Sequence, residues 1–392
     1  MTHLAFTPVR IGPVTLRNRI VKAATFEGMT PGGLASERLT AFHRAIAAGG
    51  AAACTVAYCA VSSEGRTFAN QIWMRDDAVR GLRAVTDAIH AEGAAAAAQL
   101  GHAGWFANPK ASGLPTYGPS RMFSPHGMCF PLAMTEDDFV RVTGDFVRAA
   151  RLAVDCGFDA LEVHVGHGYL LSQFLSPYTN RRRDRWGGNI GNRARFPRQV
   201  LRAVRDAVGD RTAVWAKLNM ADGFAGGLTL AESVEVARLF DADGAIDAIE
   251  LTGGFTARTP MYLFRGEAPR RELASVQATW MKRIGTRLTA PWIIREHPFE
   301  EAFFRPYARQ FLDAVRTPII LLGGVNRLAT IDTAIDEGFS AVAMGRALIR
   351  EPDLVARYQK DDRHEPRCVH CNACVAETYR DGARCVLVAE RA

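Results

Sequence analysis

The sequence predicts an eight-stranded parallel (β/α)8 barrel, and two observations carry that prediction. Eight short apolar runs punctuate the chain, and amphipathic segments with apolar residues at helical spacing lie between them. Strand then helix, eight times over, is the count that closes a parallel sheet on itself. The runner-up, an open doubly wound sheet, needs fewer strands and usually a glycine fingerprint in its first turn; "RIVKAATFEGMTPGG" offers none.

In order, the predicted strands are "RIVKAAT" (19–25), "AACTVAY" (52–58), "AAAAAQL" (94–100), "DALEVHV" (159–165), "AVWAKLN" (213–219), "DAIELTG" (247–253), "PIILLGG" (318–324) and "AVAMGRA" (341–347). Propensity alone makes the alanine-rich third run a helix, but its length, the preceding Gly93 and its place in the alternation make it a buried strand. "TEDDFVRVTGDFVRAARLAVDCG" reads as a helix N-capped by Thr135 with Asp138 three residues on, and "LAESVEVARLFDADG" follows Thr229 in the same way.

Two segments exceed a bare barrel. Residues 101–134, rich in Gly and Pro, follow the third strand and read as an active-site loop at the catalytic end. Residues 254–310 separate the sixth and seventh strands by more than one helix needs, and "RRELASVQATWMKRIG" within them is helical. With Tyr262, Trp280, Trp292 and Tyr307, they are expected to form a helical cap or an oligomer interface. The predicted organisation is a TIM barrel over 1–360, including that insertion, and a cysteine-rich extension over 361–392.

Apolar residues make up 48% and charged residues 23% of the 392, the balance of a folded globular protein. The formal charge of +7 has its densest patch at Arg181, Arg182, Arg183 and Arg185, which Asp184 interrupts and no aromatic platforms interleave. A nucleic-acid partner is therefore not expected. No apolar run reaches spanning length and the start has no secretory pattern, so the expected location is the cytoplasm, away from membranes.

In such a barrel, side chains at the strand C-terminal ends converge. These ends offer hydrogen-bonding groups, cations and one prominent carboxylate, Glu27, a poor match to paired-carboxylate hydrolysis. His164 and His167 admit three readings: a metal pair, with Glu162 on the same strand face as His164; a structural pair; or two donors that grip a developing oxyanion. In the last reading Tyr169, two residues beyond His167, donates a proton. Lys217 within the fifth strand either snorkels outward or faces an anionic partner inside. Gly323, Gly324 and Gly345 stand where strands seven and eight hand over to helices, and with Arg346 they form a phosphate cradle or plain turns.

At this point the chain resembles the old yellow enzyme family, the NADH:flavin oxidoreductases that bind FMN in a TIM barrel. The resemblance runs from "FTPVRIGPVTLRNRIV" through "QLGHAG" and "GFDALEVHVGHGYLLSQFLSPYTNRRRDRWGGNIGNRARF" to "AVAMGRALIREPDL". It implies that NADH or NADPH reduces FMN, and that the flavin gives hydride to the β-carbon of an activated alkene. It also implies that His164 and His167 bind the substrate's oxygen while Tyr169 supplies a proton. Gln99 is then expected on the flavin ring, Ala60 and Thr25 beside it, and Lys217 where relatives usually carry arginine; Gly323, Gly324, Gly345 and Arg346 are expected on the phosphate. "KAATFEGM" replaces the usual "APM" start, and Trp105 replaces an arginine common after "HAG".

The tail "RCVHCNACVAETYRDGARC" places Cys368, Cys371, Cys374 and Cys385 in a C-x2-C-x2-C-x10-C pattern. It resembles the iron–sulfur run of the branch that holds trimethylamine dehydrogenase and 2,4-dienoyl-CoA reductase. A [4Fe–4S] cluster, a zinc ion or free thiols are the options. The larger relatives continue into nucleotide-binding domains, so a cluster in this chain is expected either to need an external electron-transfer protein or to be vestigial. Three functions compete: an ene-reductase acting on a small molecule, expected as a homo-oligomer; a dehydrogenase or demethylase passing electrons through a cluster; and a non-catalytic binding barrel.

Overall fold

A computed structural model describes residues 3–277 and 279–388. After a short antiparallel hairpin, Val9–Ile11 with Val14–Leu16, come β1 (Ile20–Phe26), α1 (Glu37–Ala48), β2 (Ala53–Ala60), α2 (Val79–His90), β3 (Ala95–Gly101), α3 (Glu136–Asp155), β4 (Ala160–Val165) and α4 (Arg195–Val208). They are followed by β5 (Ala213–Asn219), α5 (Leu230–Asp243), β6 (Ala248–Thr252), α6 (Arg305–Leu312), β7 (Ile319–Leu322), α7 (Leu328–Asp336), β8 (Ala341–Met344) and α8 (Leu354–Lys360). The eight strands pair in parallel as a closed barrel, β8 returning to β1 through Val342↔Ile20 and Ala343↔Val21. All eight predicted strands are present.

The period-2 geometry of a strand sends alternate residues to the two faces. On β3, Ala96 and Ala98 pack outward under the helices while Ala97 joins Ala160, Ala213 and Ala248 around Trp215 inside. The run that propensity favours as helix is a strand because these methyl groups leave the barrel's centre to one indole.

Helix starts are set locally. Thr135 and Asp138 form a capping box on α3, and Thr229 and Glu232 form another on α5. "RRELASVQATWMKRIG", expected as one helical stretch, is two helices, Arg270–Ser275 and Trp280–Ile293. Thr279 starts the second by accepting from the Lys282 N–H, which breaks the first helix's continuation. Helix α6 belongs to the barrel, so the inserted part ends before Arg305. Phe303 and Phe304 press this insertion against Gly324 and Gly323. Trp280, Met281, Leu288 and Trp292 stay exposed along its longest helix.

Residues 102–134 fold over the mouth, anchored by buried Trp105, whose indole N–H donates to the Met122 and Phe123 carbonyls. The tail also lies on this side. The Ala383 N–H donates to the Glu27 carbonyl at 2.6 Å and Tyr379 meets Phe68 edge-on. Among the described residues no helix is long and apolar enough to cross a membrane.

Candidate active site at the barrel mouth

Above the alanine layer, the inward-facing positions change character. Gln99, Glu162, Lys217 and Glu250 come from β3, β4, β5 and β6 and are all buried. The register dictates the contacts: Gln99 stands opposite Glu162 and Lys217 opposite Glu250. Lys217 Nζ lies 2.6 Å from Glu250 Oε1 and 3.1 Å from Glu162 Oε1, and Gln99 Nε2 donates to Glu162 Oε1 at 2.5 Å. Lys217 thus points inward and finds its anionic partners within the barrel. Two carboxylates share one ammonium out of water, so burial first, and then repulsion from Glu162, pushes the Glu250 carboxyl up to about 8.

Glu27, the carboxylate prominent in the sequence, is not part of this floor. It turns under α1, 2.5 Å from Lys22 Nζ and 3.6 Å from His43 Nε2, because Lys22 faces outward from β1. Thr25 donates to the same carboxylate at 3.2 Å and lies against Gly345.

One layer further up, β4 delivers His164 to the inner face, and the turn Gly166–Tyr169 folds His167 back over it. His167 is left-handed at φ 58, held by its N–H donating to Asn219 Oδ1 at 3.0 Å and its carbonyl accepting from Thr256 at 3.0 Å. Gly168 follows at φ 75, where a Cβ would sit 2.7 Å from the Phe255 ring. The hydrogen bonds fix the tautomers. Gly166 N–H donates to His164 Nδ1 (3.1 Å), so His164 carries its proton on Nε2 and donates it to His167 Nδ1 at 3.1 Å. His167 Nε2–H then donates to Thr252 Oγ1 at 2.7 Å. Burial holds both imidazoles neutral: His164 is well below its ordinary range, with His167 and Lys217 adding to the effect, and His167 is lowered to about 3, with Lys217 adding.

Tyr169 closes the group, its ring centroid 4.9 Å from that of His164 and 5.2 Å from that of Tyr58; burial pushes its phenol well up, so it keeps its proton. Ala60 lies on the same small patch with Ala57 and Tyr58. The structure therefore gathers His164, His167, Tyr169, Ala60, Gln99 and Lys217, and adds Tyr58, Asn219, Glu250 and Thr252, which the reading of strand ends passed over. Thr252 and Asn219 are end-of-strand, inward positions by the same count of two that finds His164.

Gly323, Gly324, Gly345 and Arg346 stand together at the ends of β7 and β8. The Arg346 guanidinium is already engaged by the Phe264 and Arg265 carbonyls and by Asn372 Oδ1. Beside it, Cys368, Cys371, Cys374 and Cys385 line one small cavity with Arg350. Burial raises the Cys368 thiol and pushes Cys374 up to about 12. Among the described residues no three acidic, His or Cys side chains stand close enough to hold a single metal ion.

The closed parallel barrel presents neutral imidazole and phenol donors above a buried Lys217–Glu162–Glu250 floor at its C-terminal mouth, where barrel enzymes carry their chemistry. Residues 5–252 match the sequence profile of the NADH:flavin oxidoreductase / NADH oxidase family, and the chain belongs to that family. It is 51% identical over 386 residues to the 4,4'-dithiodibutanoate disulfide reductase of Rhodococcus erythropolis, covering 98% of this chain and 95% of that protein. It is 30% identical over 380 residues to a metal reductase of Desulforamulus reducens, of which it spans 52%. In fold it matches morphinone reductase (TM-score 0.72, 23% identity, 94% of this chain and 93% of that one). It also matches histamine dehydrogenase from Rhizobium sp. 4-9 (TM-score 0.82, 22% identity, 97% of this chain and 52% of that one).

The family implies FMN and a reduced nicotinamide nucleotide. The mouth fits a flat, hydrogen-bonding ring: Ala57, Ala60 and Gly101 are small and flanked by the Tyr58 and Tyr169 rings, Gln99 and Lys217 supply a donor and a cation, and among the described residues Glu162 Oε2 and Glu250 Oε2 are buried without hydrogen-bond partners.

Proposed function

We propose that the chain is an FMN-dependent reductase, driven by NADH or NADPH, that reduces a small electrophile at the barrel mouth. The substrate is the disulfide of an organic acid such as 4,4'-dithiodibutanoate, or the activated C=C bond of an α,β-unsaturated carbonyl compound. The observation that carries this reading is the neutral, tautomer-fixed pair His164–His167 with protonated Tyr169 over the Lys217 floor. FMN, when bound, supplies the hydride equivalent taken from the nicotinamide.

Both substrate types build negative charge next to the reacting atom, on the enone oxygen or on the departing sulfur. The neutral His167 imidazole stabilises that charge without being titrated by it, with His164 Nε2–H donating to its Nδ1 and fixing its tautomer, and in this reading the substrate replaces Thr252 as acceptor of His167 Nε2–H. Tyr169 then gives a proton to the α-carbon of the alkene or to the released thiolate. The likeness to a disulfide reductase over nearly the whole chain supports the first substrate; the donor geometry supports either.

The test is anaerobic turnover of the flavin-loaded enzyme with 4,4'-dithiodibutanoate and with an enone panel, under NADH and NADPH. Replacing His164 and His167 together by alanine should lower kcat/KM by about 10²–10³ while FMN stays bound. Failure to reduce either substrate class removes the reading, and unchanged kcat/KM in the double variant removes the role of the pair.

A second reading has its own observation, the convergence of four cysteines on one cavity. They would hold a [4Fe–4S] cluster, whose thiolates stand wider apart than those around one zinc ion, and which would add one-electron transfer to a partner protein. Stoichiometric iron and sulfide after anaerobic preparation supports it, and their absence ends it.

A further inference from the structure

Beside the mouth lies a second cavity, a cleft of about 540 Å³ between the segments that follow β5 and β6 and the end of the inserted helix. Its cations are Arg258 and Arg295; its walls include Phe224, Met261 and Trp292; and among the described residues no Asp or Glu lines it. The Arg258 guanidinium stacks over Phe224 at 4.3 Å and Tyr178 at 4.7 Å. Among the described residues neither arginine has a carboxylate partner, and Glu296, next to Arg295, pairs instead with Arg270 at 3.3 Å. Two unpaired guanidinium groups over aromatic and thioether walls suit a ligand with an apolar stem and an anionic end. The volume falls in the usual range of small-molecule sites.

The cleft and the catalytic group share one segment of chain. The segment that carries Arg258 also carries Thr256, whose N–H holds the His167 carbonyl, and Phe255, which packs against Gly168 and meets Tyr178 at 6.0 Å. A substrate that spans the cleft and the imidazoles would run along this segment, past the Phe255 and Tyr178 rings.

We propose that this cleft is a specificity subsite that holds the carboxylate end of an elongated substrate, with Arg258 and Arg295 as its anion-binding residues. The proposal deepens the reading of the mouth as a reductase of small electrophiles, because it names which electrophiles: those bearing a carboxylate on an alkyl arm.

The first experiment needs no turnover. Decanedioate, the all-carbon counterpart of 4,4'-dithiodibutanoate, is titrated calorimetrically into flavin-loaded wild type, Arg258→Gln, Arg295→Gln and the double variant, with dimethyl decanedioate as the uncharged control. Each single substitution should weaken the dicarboxylate by about tenfold, the double by more, and the ester not at all. Arg258→Lys should recover part of the affinity, and added salt should weaken only the dicarboxylate. The second experiment compares KM and kcat for 4,4'-dithiodibutanoate and its dimethyl ester, and for a carboxyalkyl enone and its ester. KM for the acids should rise with kcat held within about twofold.

Equal losses for acid and ester, or no loss for either, overturn the subsite. Slower flavin reduction by NADPH in the variants, with acid binding intact, also overturns it, because the cleft then belongs to the nucleotide phosphate. Charge-selective binding of decanedioate without reduction of any disulfide or enone leaves the subsite standing and removes the reductase reading instead.

Discussion

The polar floor shows how far single residues were legible. Counting by two along a strand puts His164 and Lys217 on the inner face, but the partner of Lys217 depends on register across strands. Register sets Glu250 opposite it, and no pattern within one strand carries that information. Glu27 misled for a different reason: the chain turns outward after β1, where Lys22, five residues earlier on the face toward α1, claims it. The floor also makes a pH prediction. The Glu250 carboxyl sits at about 8 in the folded chain against an ordinary value of 4.5, so between those values the folded state binds more protons than the unfolded one. Stability from this group is complete below the ordinary value and drains away as pH climbs through about 8. Glu250→Gln keeps an oxygen for Lys217 and removes the titration. Its melting temperature should therefore gain on wild type from about pH 5 to about pH 8 and level off above that; parallel profiles would show that Glu250 does not hold the proton.

Elements were more legible than contacts. Each barrel strand announces itself as a buried apolar run, and Thr135 and Thr229 mark helix starts because a capping box is local chemistry. The break between Arg270–Ser275 and Trp280–Ile293 was hidden because Thr279 as an N-cap looks like one more polar residue inside a helical period. The turn after β4 needed more than a local reading. Gly168 could be a mere loop glycine, yet its φ of 75 and the Phe255 ring from the segment after β6 both exclude a Cβ. Gly244, at the end of α5, has φ 62 and open space around it. Gly244→Ala should cost only the left-handed backbone term, about 1–2 kcal/mol. Gly168→Ala should cost roughly 1–3 kcal/mol more for the forced contact, and it should displace His167. Urea unfolding of the two variants checks this, and equal costs would mean that Phe255 yields freely.

At the scale of the whole molecule, the insertion and the cysteine tail are separate in sequence and joined in space by one side chain. The sequence places Arg346 after a strand-end glycine, where an anion-binding role is the natural expectation. In the fold its guanidinium binds the Phe264 and Arg265 carbonyls from the insertion and Asn372 from the tail, and Asn372 in turn donates to the Arg265 and Glu267 carbonyls. Among the described residues neither segment forms a hydrophobic cluster of its own, so this knot at the end of β8 ties the two together, beside the Phe303–Phe304 and Tyr379–Phe68 contacts that also hold them. Hydrogen bonds from a charged donor are worth about 1.5–3 kcal/mol each. Arg346→Gln should therefore speed amide hydrogen exchange through residues 260–270 and 368–377 while β1–β8 keep their protection. A phosphate-binding role makes the opposite demand: FMN affinity would fall while exchange in both segments stayed at the wild-type rate. If both quantities change, the order decides. Accelerated exchange in the flavin-free protein is a property of the knot alone, because no phosphate is there to lose, whereas acceleration confined to the flavin-loaded comparison would make the arginine an anion ligand first and a clamp second.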